Sequence, residues 1–301
     1  MKLQGIYTPV LTSFDPDGNI DYQAWKTILD NQIDAGVHGL IIGGSTGEFY
    51  AMSKEERLQQ FEFANDYIAQ RVPWIAGIND VRATEVYSYA KAAKLAGASG
   101  MLVAAPPYSL PNEKELAEHI IRIDEAADLA IILYNYPGRT GVEMGSEFLD
   151  LIADRENIVA IKESSGDINR IHQLSLDYPQ LQLSAGAEDQ VLEFFVWGAQ
   201  SWVCACANIF PQACVEFYQT CVIEKDFVKG KKYMAALMPL MTFLEQSGKF
   251  VQCVKFGAQL QGLSTGPVRL PMQALTDEMQ SQIKAVVLQA ANTLETLIND
   301  K

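Results

Sequence analysis

The stretch IVAIKESSGD, residues 158–167, sets the fold. Four consecutive apolar residues run into Lys162 without polar alternation. That is the pattern of a strand covered on both faces, as parallel strands are when helices flank the sheet. The segment IIL at 131–133 has the same character, and further short β-rich stretches stand at 6–11, 39–42, 74–78, 100–104, 181–185 and 202–207. Helical patterns separate them. Ser53 with Glu56 makes a capping box, and Gly36 and Gly97 sit where helices stop.

Strand and helix therefore alternate eight times in roughly the first 225 residues, which predicts a (β/α)8 TIM barrel rather than a doubly wound sheet. After Asn208 the rhythm changes. Helical patterns at 227–243 and 276–298 are broken at Gly248 and at Thr265, Gly266 and Pro267, with no convincing strand between. The expected organisation is an α/β barrel over residues 1–225 and a C-terminal helical extension over 226–301.

Composition narrows the function. The 301 residues are 49% apolar, and 37 acids outnumber 23 Lys plus Arg for a net charge of −14. Such a surface lacks the clustered cations that bind nucleic acid or anionic lipid, so neither partner is expected. The first 15 residues lack a charged start and an apolar run, and the longest uncharged stretch, 194–215, carries too many polar groups to lie in hydrocarbon. That stretch reads as a helix end, a buried strand and a loop. Five cysteines without a C-x-x-C pair fit reduced thiols, and the expected location is the cytoplasm. His38, His119 and His172 are scattered without metal-ligand spacing, so no metal is expected.

In such a barrel the chemistry is built at the carboxyl ends of the strands, and three loops there stand out. GGSTGEFY, residues 43–50, offers glycine turns, backbone N–H groups and the Ser45 and Thr46 hydroxyls. It suits a carboxylate, or it is a turn whose hydroxyls cap the backbone. It lacks the patterns that cradle ATP or dinucleotides. YNYPGRTG, residues 134–141, places Tyr134 at the barrel mouth as a proton-transferring phenol or as a packing residue. Its Arg139 either grips a carboxylate or is a solvated charge. In IVAIKESSGD, Lys162 ends an interior strand. Burial there lowers its pKa and frees a nucleophilic amine, which condenses with a ketone to an imine; the alternative is a structural ion pair with Glu48 or Glu163.

Taken together, G-S-T-G-E, Y-N-Y-P-G-R-T-G and I-K-E-S-S-G-D resemble the dihydrodipicolinate synthase and N-acetylneuraminate lyase family of pyruvate-handling class I aldolases. The resemblance extends from YTPVLTSFD at residues 7–15 to the helical tail. It implies a homotetramer or homodimer working without metal or organic cofactor. It makes Lys162 the imine-forming residue, Tyr134 the proton-transferring phenol, and Thr46 the link from Tyr134 to Tyr108 of a neighbouring subunit, with Tyr108 lying in PPYSLP at 106–111. The substrate-contacting set it implies is Ser45, Thr46, Gly47, Arg139, Gly186 and Cys206. An arginine at the place of Arg139 favours pyruvate plus aspartate semialdehyde, as in the synthases of lysine biosynthesis. Cleavage or dehydration of a 2-keto-3-deoxy sugar acid or a neuraminate-like compound is the alternative, and a keto-acid-binding barrel without turnover is a third.

Several positions depart from the synthase pattern. Ser45 stands where a threonine is more usual, Pro107 where lysine-inhibited synthases have an aromatic residue, and Val81 near their asparagine. Residues 248–255 lack the Asn-Pro segment common in synthases. Cys204 and Cys206 either touch a ligand or fill the core around the eighth strand.

Overall fold

A computed structural model describes residues 1–299. The chain runs β1 (Gly5–Pro9), α1 (Tyr22–Asp34), β2 (Gly39–Ile42), α2 (Lys54–Ile68), β3 (Trp74–Gly77), α3 (Ala83–Leu95), β4 (Gly100–Ala104) and α4 (Glu113–Ala127). It continues through β5 (Ile131–Asn135), two short helices α5 (Pro137–Thr140) and α6 (Ser146–Ile152), β6 (Ile158–Glu163), α7 (Ile168–Asp177), β7 (Gln182–Ala185), α8 (Val191–Val196), β8 (Ser201–Val203) and α9 (Pro211–Tyr218). Each strand pairs in parallel with the next, and β8 returns to β1 with Gly5 opposite Ser201, so the sheet closes as a barrel.

Alternation along the strands sorts their side chains into two cores. Tyr7, Ile41, Ile75, Leu102, Ile132, Ala160 and Val203 fill the barrel interior. Ile6, Leu40, Ile42, Met101, Val103, Leu133, Ile161 and Trp202 face outward into the layer shared with the helices. Both faces are thus apolar, which is why these strands read as unbroken apolar runs. Because Ile132 and Ala160 point inward, so do the residues two further on, Tyr134 and Lys162. These two are register partners across β5 and β6. The barrel's upper layer is where polar chemistry replaces packing.

The predicted caps are present. Ser53 and Glu56 form a reciprocal capping box on α2, and Gly36 and Gly97 take left-handed φ of 83° and 84° just past α1 and α3. The tail comprises α10 (Phe227–Gln246), α11 (Phe250–Leu260) and α12 (Asp277–Asn299). Helix α10 packs on α8 and α12, and α11 lies against the turn at Cys206–Asn208, so the tail covers one side of the barrel. No helix among the described residues is long and apolar enough to cross a membrane.

Two local expectations need correction. The eighth strand stops at Val203 instead of reaching residue 207, because the Glu188 carboxylate takes the N–H groups of Ala205 (2.6 Å) and Cys206 (3.2 Å). The chain then turns into one 3-10 turn at Cys206–Asn208. Residues 211–215, read as loop, begin α9; Pro211 is preorganised for the first helical turn.

Candidate active site

Lys162, Tyr134, Ser45, Thr46, Arg139 and Gly186 line one cavity at the carboxyl end of the strands. Glu188, Tyr136, Val203 and Ala205 also line it, as do Glu245 and Phe250 from the tail. The three sequence loops therefore converge on one space.

Lys162 is 8% exposed, and its Nζ lies 4.0 Å from the centroid of the Tyr134 ring. Burial pushes the amine down to about 8 from 10.5, and the Arg139 charge acts in the same direction. Glu188 and Glu245 oppose the shift through their charges. Neither structural partner proposed from sequence holds the amine. Glu48 instead pairs with Lys255 at 2.6 Å. Glu163 accepts from Asn135 Nδ2 at 2.8 Å and from the Ser165 N–H at 2.6 Å, and faces Arg170 at 3.5 Å. Its carboxylate ties the end of β6 to that of β5.

Burial pushes the Tyr134 phenol up to about 12. Ser164 and Ser45 are the side chains placed to hydrogen-bond it, and both lower its pKa against burial. Ser164 Oγ is buried with no other partner among the described residues. A phenol held this way stays protonated at neutral pH, so it acts first as a proton donor. Thr46, 6% exposed, lines the same cavity, but within this chain Ser45 and Ser164 are the phenol's neighbours. Tyr108 does not enter the cavity of its own chain. It is 93% exposed with a left-handed φ of 72°.

In the glycine loop, the N–H of Gly47 closes on the Gly44 carbonyl (3.0 Å) and that of Glu48 on the Ser45 carbonyl (3.1 Å). Gly47 also accepts from Thr12 Oγ1 at 2.9 Å. Gly47 thus shapes the turn through its backbone. The N–H groups of Ser45 and Thr46, with their hydroxyls, remain to receive a carboxylate. Glu48, in left-handed conformation at φ 60°, anchors the loop to the tail, accepting from the Arg269 N–H at 3.0 Å.

Arg139 is exposed at the cavity mouth, with its guanidinium 5.2 Å from the Tyr136 ring centroid and 5.7 Å from that of Phe250. No carboxylate among the described residues lies within 4.0 Å of it, so the guanidinium is available to an anion. Gly186 must be glycine: a Cβ there would collide with Ser164 Oγ and the Lys162 stem. Cys206 is corrected. It is fully buried outside the cavity, its thiol facing Cys214 of α9, and only its N–H serves the site, by donating to Glu188.

Sequence reasoning missed Glu188 and Glu245. Burial pushes Glu188 up to about 8, while its two backbone N–H donors favour the carboxylate. Glu245 lies two residues beyond the predicted end of α10 at residue 243, and only tertiary packing brings it to the barrel mouth. Among the described residues no cluster of three His, Cys, Asp or Glu side chains is placed to hold a metal ion.

Comparisons agree with this geometry. The model of the dihydrodipicolinate synthetase family matches residues 2–290. A 4-hydroxy-tetrahydrodipicolinate synthase from Bartonella bacilliformis is 32% identical over 96% of this chain and 98% of its own. The solved structure of the 4-hydroxy-tetrahydrodipicolinate synthase from Methylacidiphilum fumariolicum SolV superposes with a TM-score of 0.93 at 26% identity, covering 99% of both chains. The chloride-inhibited dihydrodipicolinate synthase from Acinetobacter baumannii, solved with pyruvate, gives a TM-score of 0.91 at 29% identity over 96% of this chain and 99% of that one.

Proposed function

The chain belongs to the dihydrodipicolinate synthetase family, and on that premise we propose that it condenses pyruvate with aspartate semialdehyde through an imine on Lys162, as a 4-hydroxy-tetrahydrodipicolinate synthase. The observation that carries the reading is the buried Lys162 amine, depressed to about 8, set over the Tyr134 ring in a cavity that Ser45 and Thr46 also line.

The pyruvate carboxylate lodges on the Ser45–Thr46 turn, which brings its ketone to Lys162. The neutral amine adds to the ketone carbon. Tyr134 gives a proton to the departing oxygen, water leaves and the iminium forms. The methyl carbon loses a proton to the phenolate just created, which restores the phenol and yields the enamine. The enamine carbon then attacks the aldehyde, whose carboxylate Arg139 grips through its planar fork, and the aldehyde oxygen takes the Tyr134 proton as the iminium re-forms. The substrate's amine, its ammonium proton passed to the Tyr134 phenolate, then attacks the iminium carbon, and proton transfer to the Lys162 nitrogen releases that amine and closes the ring.

Tyr108 belongs to the same reading. Its exposure, with that of Leu110 at 58%, leaves an aromatic and an aliphatic side chain projecting from a strained loop, which suits insertion into a second copy of the chain.

Borohydride reduction in the presence of pyruvate, followed by peptide mass analysis, tests the mechanism. A mass increment on the peptide containing Lys162 is expected, and its absence overturns the imine. Turnover with aspartate semialdehyde against a panel of 2-keto-3-deoxy sugar acids then tests the substrate. An adduct without turnover of any of them makes the protein a keto-acid binder.

A further inference from the structure

The catalytic cavity adjoins a wider one, and four residues line both: Tyr136, Arg139, Glu245 and Phe250. They form a neck between the space beside Lys162 and the outside. A second substrate that reacts with an enamine on Lys162 must hold its distal end in this neck.

The neck carries one cation and one acid. Glu245, half-buried in the last turn of α10, has no Lys, Arg or His nitrogen within 4.0 Å among the described residues, and burial raises its pKa. Glu188, the cavity's other carboxylate, is committed to the backbone N–H groups of Ala205 and Cys206. Among the described residues the Glu188 N–H is the donor that acts on the Glu245 carboxylate, which leaves it acceptor capacity where it lines the cavity. Lys162 and Arg139 act on this carboxylate only through their charges and neither pairs with it directly, so it keeps room to receive a cation that a substrate brings. The polyol chain of a sugar acid offers no such charge.

We propose that Glu245 is a specificity-determining residue that receives the ammonium group of an α-amino semialdehyde while Arg139 receives its carboxylate. The pair is complementary to a zwitterionic end. This rests on the imine chemistry proposed for the cavity and adds to it the residue that recognises the amine.

The test compares aspartate semialdehyde with succinate semialdehyde, which has the same carbon chain and carboxylate but no amine. In Glu245→Gln, KM for aspartate semialdehyde should rise about tenfold or more, the scale of one charge-assisted hydrogen bond. Inhibition by succinate semialdehyde should stay the same or tighten, because repulsion is removed. Glu245→Asp, which keeps the charge, should recover part of the lost affinity, an effect a purely structural role would not produce. Unchanged KM in Glu245→Gln, or equal weakening of both aldehydes, overturns the assignment. Borohydride trapping of pyruvate on the same samples separates the two claims: no adduct in the unmodified protein fails the imine, whereas an adduct with unchanged KM fails only Glu245.

Discussion

Tyr134 and Lys162 are register partners on adjacent strands, and the lysine Nζ stands 4.0 Å from the centre of the tyrosine ring. Strand pairing at this position is rigid, since both residues sit two places above interior-facing Ile132 and Ala160 in a closed sheet. The amine and the phenol are therefore held by backbone hydrogen bonds rather than by mobile loops, the placement a reacting pair requires.

Holding an amine there costs stability. A lysine at about 8 in the folded chain and 10.5 unfolded destabilises the fold by about 3 kcal/mol at neutral pH. The full cost is present below pH 8, and it is relieved as pH rises towards 10.5, because over that interval the unfolded chain binds more protons. Lys162→Met should abolish the pyruvate adduct and raise the melting temperature at pH 7, with the gain shrinking by pH 10. A variant less stable than the parent at pH 7 would show that the buried amine is satisfied by partners after all.

Imine formation needs the neutral amine, so its rate with pyruvate should rise about tenfold per pH unit below the inflection and level off above about 8. Glu188 is pushed up to about 8 as well, so the inflection belongs to the coupled pair. Borohydride trapping rates between pH 6 and 10 provide the measurement. A rate still climbing at pH 10 would mean that Lys162 has an ordinary pKa.

The barrel was legible in the sequence because strands buried on both faces leave unbroken apolar runs, and Lys162 stood out as the one charge ending such a run. What escaped depends on distant partners. The end of β8 is set by Glu188, whose carboxylate stops the ladder by capturing two N–H groups. Glu48 was weighed as a partner for Lys162, yet it pairs with Lys255 of the tail, a contact no local pattern announces. Glu245 sits in a polar turn like any helix end, and its place at the cavity follows only from how α10 crosses the barrel mouth. Cys206 is placed at substrate by its motif alone, whereas packing of its thiol against Cys214 hides it.

If Tyr108 completes the site of a second copy, inactive variants should complement each other. Lys162→Ala supplies an intact Tyr108, and Tyr108→Phe supplies an intact Lys162. Mixing the two under conditions of subunit exchange should restore turnover above that of either alone. Failure of hybrids, confirmed by native mass spectrometry, to gain activity would place Tyr108 outside the reaction.

The tail is fastened to the glycine loop by a buried ion pair, Lys255 Nζ to Glu48 at 2.6 Å, with side chains 3% and 0% exposed. Lys255 also donates to the Pro267 carbonyl at 2.7 Å and lies over the Phe14 ring. Burial pushes its pKa down while Glu48 pulls it up, so the pair holds only if both charges are present. Lys255→Met removes one partner and strands a carboxylate in the core, which costs about 3–5 kcal/mol, whereas replacing both partners is far milder. Urea unfolding should thus show a large loss for Lys255→Met and substantial recovery in the double variant Lys255→Met/Glu48→Gln. Because Glu48 closes the turn that presents Ser45 and Thr46, the single variant should also raise KM for pyruvate, and the double variant should restore part of it. A double variant as unstable as the single one would show that the lysine acts through packing on Phe14 and not through its charge.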